Sequence, residues 1–269
     1  MQALKTIAIT IIGLYAVVVM LLYFFQTRLI FYPGKLSKNF RFSGNYNALE
    51  VFLVTEDGER INGLFYDGKG EDVILYFHGN AGDLSGWQFV SEDFTAYGYK
   101  VFIIDYRGYG KSSGSISEKG FYHDAEAAWQ FLTDEKGVPS SNIIIYGRSI
   151  GTGVPVELAT RHLCKGVVLE SPYTSLPSLA NEKFPLFFPG WYLKYRFDNL
   201  TKINSVKAPL ILLHGSSDTL IPASHTQRLF DKFDGKKRMI LFEGASHNDL
   251  NSYKEHRYFI EDVLPFFFD

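Results

Sequence analysis

The sequence predicts an α/β protein: a mostly parallel, doubly wound sheet with one membrane-spanning helix ahead of it. Three observations carry this. An uncharged, mainly apolar run fills the N-terminus from Thr6 to Thr27. Two short strand candidates then flank an Asp-Gly turn. After them, apolar strand-length runs alternate with helical patterns, the arrangement that builds parallel sheets covered by helices.

The N-terminal run is densest over 7–25, IAITIIGLYAVVVMLLYFF. A spanning helix needs roughly 20 mostly apolar residues, and a buried core helix is rarely apolar on every face. A cleaved signal peptide has a shorter apolar stretch and a small-residue cleavage site. Bulky Leu22, Tyr23, Phe24 and Phe25 stand where small residues would be needed, so an uncleaved anchor is expected. Lys5 flanks one side; Arg28, Lys35, Lys38 and Arg41 flank the other. The excess of positive charge after the run points to a cytoplasmic location for the domain behind it.

The elements come in order. Strands are expected at 50–55 and 61–66, joined by Glu56-Asp57-Gly58-Glu59, where Asp-Gly is a hairpin signal. The run VILYF at 73–77 is apolar on both faces, as in a strand covered on both sides. A strand at 101–105 precedes a glycine-rich loop at 106–114. A helix is expected over 118–136, with Phe121, Ala125, Ala128 and Leu132 on one face, closed by Gly137 and Pro139. The strand IIIY at 143–146 leads to a helix ending near His162, which Pro155 permits only close to its start. Strands at 167–170, 210–214 and 238–242 and a helix over 253–264 complete the set.

One stretch breaks the rhythm. Residues 175–200 hold three prolines and seven aromatics: Phe184, Phe187, Phe188, Trp191, Tyr192, Tyr195 and Phe197. No strand–helix unit fits there, and an insertion this long is usually a lid or binding element. Phe184, Phe187, Phe188, Trp191 and Tyr192 are the candidate substrate-binding residues.

Composition narrows the classes. Hydrophobic residues make up 46% of the 269, enough for a sizeable core. There are 27 basic and 29 acidic residues and no long basic run, so nucleic acid is not an expected partner. The single cysteine, Cys164, excludes an intrachain disulfide and a metal site built from thiolates.

Gly147-Arg148-Ser149-Ile150-Gly151 matches the nucleophile elbow G-x-S-x-G, lying between a strand and a helix as that motif requires. The serine must sit on a strained turn, and side chains two residues to either side would collide with it. A serine hydroxyl needs a base, and the base needs an orienting acid. Asp218 follows the strand at 210–214 and His247 follows the strand at 238–242. Both therefore fall at the carboxyl edge of the sheet with Ser149, in the chain order serine, acid, histidine. His123, His162, His225 and His256 lie in helical stretches, whereas His78 and His214 precede Asp218 and are expected to brace their loops. Glu170, at the end of another strand, is the rival acid. Oxyanion donors are expected from the amide of Ile150 and from the loop His78-Gly79-Asn80-Ala81-Gly82, where Asn80 is assigned. The chain thus divides into an anchor over 1–27, a linker over 28–48 and a catalytic domain over 49–269.

At these residues the sequence resembles the α/β-hydrolase superfamily. More narrowly, it resembles a membrane-anchored branch related to the bud-emergence-type hydrolases of yeast and the α/β-hydrolase-domain proteins of animals. The matching pieces are YFHGNAG from Tyr76, DYRGYGKSSG from Asp105, YGRSIGTG from Tyr146, ESPYTS from Glu170, HGSSDTLIP from His214 and GASHND from Gly244. Ala245-Ser246 departs from the pattern, since a glycine-rich step is commoner before the histidine. The resemblance implies an α/β-hydrolase fold and hydrolysis of carboxylic esters or thioesters. Some relatives remove palmitoyl groups from protein cysteines and others are peptidases.

An aromatic insertion and an anchor near lipid both suit an acyl ester or thioester substrate. A serine aminopeptidase would need carboxylates for the substrate ammonium, and Glu182 is the candidate in the insertion. A membrane-tethered binding protein that keeps the fold is the reading from another class. Aspartate-nucleophile chemistry is disfavoured by serine at position 149. No cofactor is implied, because the glycine loops lack both the phosphate-loop and the dinucleotide pattern. Oligomeric state and physiological substrate are not legible in the sequence.

Overall fold

Alternating apolar side chains on eight strands divide the interior into two layers, one on each face of a single sheet. The computed structural model describes residues 1–42 and 48–267. The linker expected over 28–48 therefore lies outside the described residues at 43–47. Helix α1 is Gln2–Ile30, 29 residues and so about 43 Å long.

The sheet contains β1 (Ala48–Val54), β2 (Arg60–Tyr66), β3 (Val73–Phe77), β4 (Lys100–Ile104), β5 (Ile143–Arg148), β6 (Gly166–Glu170), β7 (Leu210–Gly215) and β8 (Lys237–Phe242). Their spatial order is β1-β2-β4-β3-β5-β6-β7-β8. β1 pairs antiparallel with β2, and β2 antiparallel with β4; the remaining pairs are parallel. This is the mostly parallel, doubly wound sheet that the alternating pattern predicts.

β3 shows how the strands serve both layers. Val73, Leu75 and Phe77 join one core cluster, Ile74 and Tyr76 the other. The first layer is covered by α3 (Glu118–Gln130), α4 (Gly153–Arg161) and α6 (Ser224–Lys232), through Phe121, Ala125, Leu158 and Leu229 among others. The second is covered by α2 (Val90–Thr95) and by α7 (Lys254–Tyr258) with the turns that continue it to Phe267. Pro155 is the third residue of α4, where its missing N–H would have no helical partner.

Two features depart from the sequence expectation. The insertion contains a helix, α5 (Leu176–Lys183), which the Ser175 side chain caps by accepting from Ser178 N at 3.2 Å. It has too few apolar positions to announce itself by periodicity. The residues after α1 also do not run free. Phe31 is buried, edge-on to Phe121 and Tyr195 at 5.6 and 4.8 Å. Tyr32–Pro33 pairs parallel with Ala81–Gly82, and Gly34 N donates to Gly82 O at 2.7 Å.

The motif DYRGYG acquires a structural meaning. Arg107 is buried and donates through Nε to Asp124 of α3 at 2.9 Å and through Nη1 to Asp57 of the β1–β2 turn at 2.7 Å. It ties the hairpin to the first helix layer. Removing one partner of a buried ion pair leaves the other charge uncompensated, a loss of about 3–5 kcal/mol. Arg107→Met is therefore expected to lower the unfolding free energy by about that amount, read from urea unfolding of the detergent-solubilised protein.

Candidate active site

Ser149 opens a tight helical turn, Ser149–Thr152, directly after β5 and ahead of α4. Its φ is +55°, in the left-handed region that a side chain rarely adopts. Both glycines of the pentapeptide are demanded by space. A Cβ on Gly147 would come within 2.6 Å of Gly151 O, and one on Gly151 within 2.4 Å of both Phe77 O and His78 O. The turn is wedged against the end of β3.

His247 and Asp218 stand beside it on the loops after β8 and β7. His247 Nε2 lies 2.9 Å from Ser149 Oγ, and His247 Nδ1 lies 2.6 Å from Asp218 Oδ2. All three residues are buried. An ionised carboxylate can only accept, so Nδ1 carries the proton and Nε2 is free to accept from the serine hydroxyl. Burial alone would raise the Asp218 pKa. Hydrogen bonds from His214 and His247, with the amide of Ile221, outweigh burial and hold the carboxyl well below the usual range. His214 Nε2 sits 2.8 Å from Ile221 O and 3.4 Å from Asp218 Oδ2, so it braces the acid loop.

Glu170 is committed elsewhere. Tyr146 OH donates to its Oε2 at 2.6 Å, and Arg148 Nε pairs with its Oε1 at 3.0 Å. Arg148 in turn reaches His247 O at 3.4 Å and Asn248 Oδ1 at 3.3 Å. This support of the histidine loop was not foreseen, although Arg148 is the variable position of the elbow, next to the serine. The departure at Ala245-Ser246 has a packing reason. Ala245 is buried and its carbonyl accepts from Ser217 N at 2.9 Å, where the loops after β7 and β8 cross. A Cβ on Gly215 would meet that carbonyl oxygen at 2.4 Å, so the residue without a side chain stands at the end of β7 instead.

The loop His78–Gly82 also lies against the serine. A Cβ on Gly79 would stand 3.8 Å from that of Ser149. The Asn80 side chain is turned away and donates to Ile30 O, the end of α1, at 3.0 Å. Asn80 O accepts from Tyr109 OH and from Tyr32 N, each at 2.9 Å. Of this residue, the amide N–H is thus the donor left for an oxyanion. Ile150 is the second residue of its turn, where an N–H lacks a helical acceptor. Beneath the loop, His78 Nε2 and Asp105 Oδ1 approach to 3.4 Å, both fully buried; burial pushes the Asp105 carboxyl up.

The aromatic residues of the insertion are placed differently from the expected cover. Phe187 stacks on Tyr15 of α1 at 6.0 Å, and Phe188 packs on Trp191 at 5.8 Å. Phe184, Phe188 and Trp191 are exposed, and Tyr192 is half-buried. Their ring contacts run to α1 and to each other, because the insertion follows the anchor and not the sheet edge.

Comparison with known proteins agrees with this architecture. A family profile for the α/β hydrolase fold matches residues 72–202. Human α/β hydrolase domain-containing protein 17B is 36% identical over 220 residues, covering 78% of this chain and 73% of that one. The chain belongs to the family of α/β hydrolase domain-containing proteins. Mouse α/β hydrolase domain-containing protein 17C is 38% identical over 230 residues, covering 81% of this chain and 70% of that one. Among solved structures, an esterase of Pyrococcus furiosus superposes with a TM-score of 0.72 at 21% identity, over 88% of this chain and 97% of that one. An acetyl xylan esterase from Paenibacillus gives 0.64 at 19%, over 86% and 96%. At those identities the structures establish the fold alone. This α/β hydrolase domain-containing protein is a serine hydrolase with a single N-terminal anchor.

The depressed Asp218 pKa has a consequence for stability. Its unfolded value is about 4, so the unfolded chain binds the proton first as pH falls. The stabilisation is complete above that value and is lost as pH falls towards the folded pKa. The difference in unfolding free energy between wild type and Asp218→Asn is expected to be level above about pH 5 and to shrink below about pH 4, as read by urea unfolding at each pH.

Proposed function

We propose that this chain hydrolyses carboxylic esters or thioesters of acyl groups. Ser149 is the nucleophile, His247 the general base and acid, and Asp218 the residue that orients the histidine. The observation that carries this reading is the 2.9 Å approach of His247 Nε2 to a serine hydroxyl held on a left-handed turn.

The chemistry follows from the geometry. Ser149 Oγ attacks the acyl carbonyl carbon while its proton passes to His247 Nε2. The amides of Ile150 and Asn80 receive the oxyanion of the tetrahedral intermediate. As the intermediate collapses, the alcohol or thiol leaves with the proton from His247, and the acyl group stays on Ser149. His247 then takes a proton from water, the hydroxide oxygen attacks the acyl-enzyme, and the carboxylic acid departs as Ser149 regains its proton. Asp218 remains ionised throughout and stabilises the imidazolium that forms at each step.

An apolar acyl substrate suits a catalytic domain tethered at a bilayer by α1. The cations Arg28, Lys35, Lys38 and Arg41 on the domain side of α1 support a cytoplasmic catalytic domain. The aminopeptidase reading loses its one support, since Glu182 is already paired with Arg228 at 2.9 Å and His225 at 3.0 Å.

A fluorophosphonate probe is expected to label the detergent-solubilised protein, and Ser149→Ala to abolish the labelling. Asp218→Asn should lower kcat by about 10^4-fold, since a misoriented tautomer costs that much in comparable triads. Rates with acyl esters and thioesters should rise with chain length. Turnover of peptide amides alone, or full activity in Asp218→Asn with none in Glu170→Gln, would overturn the assignment.

A further inference from the structure

We infer that the tip of the insertion, residues 184–193, is a second membrane element that dips into the leaflet on the domain side of α1. The inference rests on α1 crossing the bilayer, and it goes beyond the triad and its chemistry.

The insertion runs alongside α1 in the same direction. Tyr195 OH meets Thr27 Oγ1 at 2.6 Å, Lys194 N donates to Gln26 Oε1 at 2.6 Å, and the Lys194 ammonium lies 4.6 Å from the Tyr23 ring centroid. Further along, Tyr15 OH donates to Leu186 O at 2.9 Å, and Tyr15 stacks on Phe187. Tyr15 lies twelve positions before Thr27, about 18 Å along the helix axis at 1.5 Å per residue. The uncharged run of α1 between Thr6 and Thr27 has to occupy the hydrocarbon, which is about 30 Å thick. A segment packed beside Tyr15 therefore lies below the headgroups.

The chemistry of the segment fits that depth. FPLFFPGWYL, from Phe184 to Leu193, contains no charged residue and is bracketed by Lys183 and Lys194. Lysines in such places can keep their ammonium groups at the interface while their stems lie along apolar surface. Phe184 is 60% exposed, Leu186 76%, Phe188 55% and Trp191 89%. Clustered apolar exposure of this kind marks an interaction surface, and here it is continuous with a helix whose surroundings are lipid.

Irregular backbone is tolerated at membrane depth only where its polar groups find partners. Phe187 N donates to Phe184 O and Trp191 N to Phe188 O, each at 3.1 Å; Tyr192 N and Leu193 N donate to Pro189 O at 3.1 and 2.9 Å. Gly190 N donates to Asn181 Oδ1 at 2.9 Å, and Leu186 O is taken by Tyr15. Pro185 and Pro189 have no N–H to satisfy.

The test uses the full chain in phosphatidylcholine nanodiscs, with Cys164→Ser as background. An environment-sensitive fluorophore is attached at Trp191→Cys, at Leu14→Cys in α1, or at Leu163→Cys, which is exposed near the amino end of β6. Lipids brominated in mid-chain are then substituted. Loss of most of the emission at 191 and 14, with none at 163, supports the inference. Quenching at 14 but not at 191, with iodide reaching 191 from water, overturns it and leaves the anchor standing. Energy transfer between labels at 191 in different copies, without lipid quenching, overturns it in favour of a second copy covering the tip. Absence of quenching at 14 overturns the anchor and the inference together.

Discussion

Ser149 holds φ at +55°, a conformation that costs of order 1–3 kcal/mol for a residue with a side chain. It persists because the turn has nowhere else to go. Gly147 lets β5 lie against the turn that follows it and Gly151 lets that turn lie against the end of β3, and any Cβ at either position would collide with backbone oxygen. That one constraint holds the hydroxyl at the sheet edge, where His247 Nε2 meets it. The remaining groups are then placed by their own strands: Asp218 after β7, His247 after β8 and the His78–Gly82 loop after β3. A parallel sheet delivers all four loops to one edge without further specification.

The acid and histidine loops depend on each other as well as on the sheet. Asp218 is charged because His214, His247 and the amide of Ile221 stabilise its ionised form against the effect of burial. The loops touch through Ser217 N and Ala245 O, and the side chain of Arg148 reaches across to the carbonyl of His247. Glu170 fixes that arginine and is thereby withdrawn from competition for the histidine. The two carboxylates thus have separate work, decided by the partner each one meets: the imidazole for Asp218 and the Arg148 guanidinium for Glu170.

Strand runs such as VILYF and IIIY were legible because an apolar run of that length between turn residues suits a buried strand and little else, and the Asp-Gly hairpin because its geometry is local. The meeting of Ser149, Asp218 and His247 at one sheet edge was legible because each follows a strand. The features that sequence could not disclose are tertiary. Nothing in Phe31-Tyr32-Pro33 marks it as part of the domain, since its partners, Phe121, Tyr195 and Ala81–Gly82, are distant in sequence. The direction of the aromatic insertion was hidden for the same reason. Seven aromatics announce an apolar surface but not whether it faces a substrate, a helix or lipid, and only the contacts with Tyr15, Tyr23 and Gln26 settle its course along α1.

The junction between α1 and the domain has a further consequence. The last helical carbonyl, Ile30 O, is held by the Asn80 side chain, and the next residues lie as a short strand on Ala81–Gly82. The tether and the loop above the serine are therefore parts of one hydrogen-bonded unit. A modular anchor can be exchanged for any other greasy helix, but this one cannot be cut or grafted freely past Ile30. Its membrane portion is replaceable in principle; its final turn and the short strand after it are inherited with the catalytic machinery, as keystone to arch.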